Sequence, residues 1–517
     1  MSQAAVIRLV KSLSKSEKRR FKLYTRKHEG EKEYLTLFDL IDQHDMITTE
    51  MLQEQFSRFH TRVSIDNAAR YLLKLLTDCL IQSRTGEDDL FQLLHGIMRV
   101  HILKERNLPE EGYKELKKLK QTAARTQEQF IEYLLCRDEL NYLTEFNFPG
   151  VNENKLVELQ MKARNTIKDI RNTHEHYSLY ELLRYRLLHT GKAISEAEKK
   201  HLNDLLLSEM SIVNAKTKNS LESRKLHLLF QSSFFTNIGD YTSALKTFYQ
   251  LNGLFEKNRV LWHHPPLDYH SALDGILDSL RTTGRYEEMS FYVQKLELLE
   301  DKSYPEYFLF MVRKTVMIYQ LVWLMGTDQI NAATAYIEQC DISLLKAYGQ
   351  VDEERQCELF FCFGLVYFKG GHFKKAQKYI NEIVLIGKAS YQSVIYRVSR
   401  LLSILIHYEA SNFDYLDYEI RSFKRAFQYS GVKLKVENMI FKTIKASPDL
   451  NSPQKNQLLW EKISPVLQAI EKDKFEMQLQ KYFDFSGWIK GKFGHQPETR
   501  LKKKRVHLTA LREEGSK

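Results

Sequence analysis

The sequence predicts an all-α chain: a solenoid of antiparallel helix hairpins preceded by an N-terminal helical bundle. Three observations carry this. First, the 517 residues hold only 9 Pro and 21 Gly, and few Val/Ile/Thr runs alternate with period two. Second, one turn pattern recurs. In Gly239-Asp240-Tyr241, with Ala244, Phe248 and Leu251 beyond it, a glycine able to take φ > 0 ends one helix. The apolar residues after it fall three and four apart, on one face of the next helix. Third, the pattern keeps its interval. Aligned turns at Gly239, Gly284, Asp328, Gly371 and Ser411 lie 45, 44, 43 and 40 residues apart. Each is followed by a bulky apolar residue and a small or apolar one three later: Tyr241/Ala244, Tyr286/Met289, Ile330/Ala333, Phe373/Ala376 and Phe413/Leu416. A fixed interval of this size marks units that bury their faces against one another.

Taken in order, residues 1–83 form a helical bundle with basic first helices. Ala4 to Leu13 reads as a helix. Ser14 then caps a second helix, with Glu17 completing a capping box. Lys18, Arg19, Lys22 and Arg26 crowd that second helix, a candidate electrostatic face. Three more helices are expected near Glu31–His44, Thr49–Phe59 (capped by Thr48) and Ser64–Ser83. The last is apolar around most of its circumference, from Ile65 through Ala68, Ala69, Leu72, Leu75, Leu76 and Cys79. That suits a core helix and not a DNA-reading one.

Residues 84–220 read as further hairpins: Glu87–Arg106, Pro109–Thr126, Gln127–Phe146, Glu153–Asn172, Ser178–Leu188 and Ser195–Asn214, the last capped by Ser195. They lack the glycine-aromatic-alanine pattern and are either degenerate repeats or a separate bundle. Residues 221–430 hold the clear array. Residues 431–493 supply capping helices, Gln454–Lys462 and Pro465–Phe483, with Ser464 as cap and Pro465 at the first helical position. Phe483, Phe485 and Trp488 are expected to cover the open face of the last hairpin. Residues 494–517 read as a flexible basic tail containing Lys502, Lys503, Lys504 and Arg505.

The array resembles the tetratricopeptide repeat (TPR). Its best unit is Phe360 to Ile383, where Gly364 has Phe360 four before it and Tyr367 three after. Gly371, Phe373 and Ala376 stand at the family's turn glycine, aromatic and small residue. The family repeats every ~34 residues, so these hairpins are longer. Lys388 stands at the family's closing proline, and Asp328 and Ser411 replace the turn glycine. The resemblance covers about residues 221–430. It implies a right-handed solenoid whose first helices line a concave groove. On this chain it places Asn237, Asp274, Asp278, Arg281, Phe361, Leu365, Lys369, Leu401 and Tyr408 along that groove, as contacts for a protein or peptide segment.

Net charge is +11, and it sits at the ends. Residues 1–30 carry nine Lys/Arg against two Asp/Glu, and residues 488–517 nine against three. The body is slightly acidic. Basic ends suit an acidic partner or nucleic acid.

Enzymatic signatures are weak. His174-Glu175-His176 puts its histidines on different helix faces, and His263-His264 lies in a loop, so no metal is expected. Gly487-Trp488-Ile489-Lys490-Gly491-Lys492-Phe493 is too short for a phosphate loop and ends in Phe where a hydroxyl is needed. Five scattered Cys without a CxxC argue against a disulfide framework. The most apolar stretch, Tyr307 to Gly326, carries Arg313 and Lys314 at its middle, which suits a core helix better than a bilayer span.

The expectation is therefore a soluble, cytoplasmic, non-enzymatic scaffold or adaptor without cofactor or membrane partner, binding a protein segment in its groove. One alternative is a nucleic-acid or ribonucleoprotein factor acting through the basic ends. Another is a peptide-sensing regulator, similar in layout to the Rap type, which puts a helical bundle before TPR-like repeats.

Overall fold

The computed structural model describes residues 2–493, apart from 26–32, 45–46, 62, 87, 191–195, 215–219, 263, 302, 341–352, 386–393, 428–433 and 447–452. Expectations for Arg26, Ser195, His263, Lys388 and the tail with Lys502, Lys503, Lys504 and Arg505 lie outside the described residues. All regular secondary structure described is helical. The chain divides into two compact units, Met1–Arg171 and Asn172–Lys517.

In the N-terminal unit, α1 (Ser2–Ser12), α2 (Lys15–Thr25), α3 (Glu33–Gln43), α4 (Thr49–Phe59) and α5 (Ile65–Arg84) enclose one core. Val6, Val10, Phe21, Leu37, Phe38, Ile41, Leu52 and Phe56 pack there with the apolar face of α5, as its composition predicts. The capping box forms: Ser14 N–H donates to Glu17 Oε2 at 2.7 Å, and Glu17 N–H donates to Ser14 Oγ at 3.2 Å. Then follow α6 (Asp89–Glu105), α7 (Pro109–Thr126) and α8 (Gln129–Glu145). Their turns place Asn107, Gln127 and Asn147 at φ 59°, 63° and 57°. In each, the next residue's N–H reaches the carbonyl five back: Leu108 to Leu103, Glu128 to Ala123, Phe148 to Leu143. This closure satisfies carbonyls that a helix end leaves open.

One helix, α9 (Glu153–Thr190), runs unbroken for 38 residues. The break expected between Asn172 and Ser178 does not occur, because no Gly or Pro interrupts that stretch.

In the C-terminal unit, α10 (Glu196–Asn214), α11 (Leu221–Asn237), α12 (Tyr241–Lys257), α13 (Leu267–Thr283), α14 (Met289–Glu297), α15 (Glu306–Gly326) and α16 (Ile330–Gln339) follow in order. Next come α17 (Glu353–Lys369), α18 (Phe373–Leu385), α19 (Val394–Glu409) and α20 (Phe413–Phe427). The five aligned turns all share one geometry. Gly239, Gly284, Asp328, Gly371 and Ser411 have φ of 75°, 68°, 64°, 74° and 57°. The N–H groups of Asp240, Arg285, Gln329, His372 and Asn412 bond the carbonyls of Phe235, Leu280, Leu324, Tyr367 and His407 at 2.8–2.9 Å. Asp328 and Ser411 thus do the work of the glycine, bearing the strain of a left-handed conformation.

Packing is contiguous. The helix that opens each hairpin touches the one opening the next: α11 on α13, α13 on α15, α15 on α17, α17 on α19. Small residues permit close approach. A Cβ on Gly275 would lie 2.1 Å from the Phe248 ring, and one on Gly326 would lie 2.3 Å from the Tyr286 ring. Gly275→Ala must therefore shift Phe248, which is 8% exposed inside this core. We expect a loss of about 1–3 kcal/mol, read as a lower urea midpoint by tryptophan fluorescence.

The apolar helix α15 is long and apolar enough to cross a membrane by length and composition, and 67% of its most apolar window is buried within the protein. Its Lys314 is buried, with the ammonium 5.3 Å from the Phe310 ring centre, and Arg313 is exposed and pairs with Glu300 at 3.1 Å.

The C-terminal helices depart from expectation. A single α22 (Pro453–Lys472) contains Pro465 in its interior. Burial of Ile463, Leu467 and Ile470 on one face keeps the helix going past the proline. The helix expected to reach Phe483 ends at Lys472. After α21 (Lys435–Ala446) and α22, the chain continues through short α23 (Met477–Gln480) and α24 (Phe485–Lys492).

Candidate functional site

The hairpin-opening helices present a shared face, and the chain's own segment Lys474–Phe493 lies on it. The segment enters at the first aligned turn. A Cβ on Gly239 would sit 2.5 Å from the Lys474 carbonyl oxygen, so the close approach requires this glycine, which also takes the left-handed turn without strain. Lys474 Nζ pairs with Asp240 at 2.7 Å, and Gln478 Nε2 donates to the Asn237 carbonyl at 3.3 Å. Glu476 accepts from the N–H groups of Lys435 and Val436, holding the start of α21.

Lys481 and Tyr482 meet the charged part of the face. Lys481 Nζ contacts both Asp278 oxygens, at 3.0 and 2.9 Å, and its side chain is 2% exposed. The Tyr482 ring packs edge-on to Phe361 with centres 6.0 Å apart, and the Arg281 guanidinium lies 4.8 Å from its centre. Further along, Phe483 packs on Phe368. Asp484 caps α24 through the Gly487 N–H and lies within electrostatic reach of Lys369. Trp488 stacks edge-on to Tyr408, its Nε1 donates to Glu409 at 2.7 Å, and Lys492 Nζ meets the same carboxylate at 2.6 Å.

Beneath Lys481 lies a buried charge network. Arg281 bridges Asp278 and, at 2.7 Å, Glu358. Arg355 bridges Asp274 and, at 2.6 Å, Glu358. Tyr319 donates to Asp274 at 2.8 Å. Carboxylates Asp274, Asp278 and Glu358 thus balance Arg281, Arg355 and Lys481, and the C-terminal segment supplies the last cation. Burial pushes the Glu358 carboxyl up, but Arg355 and Arg281 outweigh it and hold the group down at about 2. Burial raises the Tyr482 and Tyr319 hydroxyls well above their ordinary value.

A depressed carboxylate pKa contributes stability that is complete above the unfolded value, near 4.5, and is lost as pH falls through about 2. The stability difference between wild type and Glu358→Gln should therefore be constant above pH 4.5 and shrink toward pH 2. Urea unfolding at several pH values measures it.

The groove residues read from the sequence come together on this face. Asn237, Asp278, Arg281, Phe361, Lys369 and Tyr408 meet the segment. Asp274 joins through Arg355 and Tyr319, and Leu365 and Leu401 lie in the core around it. The occupant was missed. Lys474, Gln478, Lys481 and Tyr482 carry no motif, although a slightly acidic body beside a lysine-rich end is a visible cue. Of Phe483, Phe485 and Trp488, expected on the last hairpin's open face, Phe483 packs on α17 and Trp488 on α19, while Phe485 meets the Phe483 ring and α24 also packs on α21.

The electrostatic residues of the N-terminal unit are largely neutralised locally. Lys18 pairs with Asp42 and Lys22 with Asp39, both at 2.8 Å, and Arg19 is exposed. Cys79, Cys136, Cys357 and Cys362 are buried, and burial pushes the Cys362 thiol up to about 12. Among the described residues, no cluster of His, Cys, Asp or Glu could hold a metal ion. Comparison with protein-family models, curated proteins and solved structures finds no match to this chain.

Proposed function

We propose that the chain is a non-enzymatic interaction protein whose C-terminal unit, a right-handed TPR-like solenoid, holds a protein segment against the face of its hairpin-opening helices. The observation that carries this reading is the seating of Lys474–Phe493 there: a segment of two short helices and turns is gripped through side chains of Asp240, Asp278, Arg281, Phe361, Tyr408 and Glu409. A face that grips one such segment has the shape and chemistry to grip another.

The test is affinity capture from the native lysate with full-length bait, wild type against Tyr408→Ala/Glu409→Lys, each with and without nuclease. The scaffold reading expects a partner that survives nuclease and is lost with the double variant. A partner set removed by nuclease and indifferent to the variant would overturn it and move function to the basic ends, where binding would fall steeply with salt.

A further inference from the structure

We infer that the segment this face accepts from a partner is cationic and aromatic, and that it takes the place of the chain's own Lys474–Phe493; the inference rests on the scaffold reading. The carboxylates along the face are spaced to receive amines. Asp240 takes Lys474, Asp278 takes Lys481, and Glu409 takes Lys492. Between them the face offers rings. Tyr241 lies 5.5 Å from the Lys481 ammonium, Phe361 and Phe368 receive Tyr482 and Phe483, and Tyr408 receives both Trp488 and the Lys492 cation at 5.2 Å. Cations over ring faces and edge-on ring pairs are favourable contacts. An acidic segment would set its charges against Asp240, Asp278, Glu358 and Glu409. This face therefore selects against the acidic partner that the net charge of the whole chain suggests.

The seated segment also has the character of an exchangeable occupant at its edges. The Lys474–Asp240 pair is solvent-accessible, with side chains 57% and 24% exposed, and such pairs contribute little. Helices as short as Met477–Gln480 and Phe485–Lys492 do not persist once undocked. The fixed points are Lys481, Phe485 and Ile489, which are buried, and the half-buried Tyr482. A competitor must supply a lysine and an aromatic ring at those anchors. It also competes with a tethered occupant, so its apparent affinity is reduced by the small fraction of molecules with the face open.

The test uses a fluorescein-labelled synthetic peptide with the sequence of residues 474–493, titrated by anisotropy against full-length protein. The proteins are wild type and Lys474→Ala/Trp488→Ala, which loosens both ends of the seated segment and leaves the buried anchors. Binding at least tenfold tighter to the double variant is expected. A control peptide with glutamate at 474, 481 and 492 should not bind. Should the double variant fail to fold by circular dichroism, Lys492→Ala, which removes only a half-buried pair, replaces it. No saturable binding to a folded variant, or equal binding of the glutamate peptide, overturns the inference. If a nuclease-resistant partner still depends on Tyr408 and Glu409, only the partner chemistry has failed and the scaffold reading stands. If that dependence is absent too, both have failed.

Discussion

Arg281→Ala is expected to cost the C-terminal unit about 3–5 kcal/mol, the range for removing one member of a buried ion-pair network. Arg281 is 5% exposed and faces Asp278, Glu358 and the rings of Tyr319 and Tyr482. Without it, Glu358 keeps its pair with Arg355, and Asp278 keeps its pair with Lys481. One negative charge is then left in excess beside Asp278 and Glu358, whose side chains are 13% and 5% exposed. The loss should fall mostly on this unit, and fluorescence can isolate it, because Trp262, Trp323, Trp460 and Trp488 all lie beyond Asn172. Arg281→Met/Glu358→Met removes one charge of each sign and leaves Arg355–Asp274 and Lys481–Asp278 paired. It should be more stable than either single Met substitution predicts by addition, which a double-mutant cycle in urea would detect. Strict additivity would mean that the two residues do not act together.

Phe485→Ala is expected to have an effect of similar size for a different reason. Phe485 is fully buried, with its ring edge-on to Phe483 at 4.9 Å between centres. Truncating a buried Phe typically costs about 3–5 kcal/mol in lost burial and cavity formation. The site of the damage is the informative part. Phe485 opens α24, whose docking on α21 and α22 holds the last part of the segment. The variant should release residues 474–493 before the rest of the unit unfolds, giving a separate, earlier transition in limited proteolysis. A single transition coincident with global unfolding would mean that the segment is inseparable from the core.

Much of the fold is legible in the sequence because its signals are local. The turn at Gly239 needs a residue that tolerates φ > 0 and an apolar helix beyond it, and both can be read from ten residues. The spacing then carries the register to Asp328 and Ser411, where the residue type alone would not. Helix ends set by distant packing are less legible. Pro465 looks like a helix start, yet α22 continues through it because Ile463 and Leu467 on either side are buried. His174-Glu175-His176 falls between the expected helices Glu153–Asn172 and Ser178–Leu188, yet it lies inside α9 with His176 buried. Burial, together with the neighbouring His227, lowers the His176 pKa.

The candidate face divides in the same way. Asp278, Arg281, Phe361 and Tyr408 follow from repeat register, since each sits on a hairpin-opening helix. What covers them does not follow from register. Lys481 lies 203 residues from Asp278 along the chain, and no periodicity links the two. Charge complementarity is the one sequence-level trace of that contact, and it names a pairing of regions, not of residues.

Seating of Lys474–Phe493 on the hairpin-opening helices is tested most directly by hydrogen exchange of the full-length protein, followed by mass spectrometry of proteolytic fragments. The amides of Met477–Gln480 and Phe485–Lys492 should be protected for a substantial fraction of the time shown by Glu353–Lys369, and Tyr408→Ala/Glu409→Lys should speed their exchange selectively. Exchange of residues 474–493 within seconds in the wild type would contradict it.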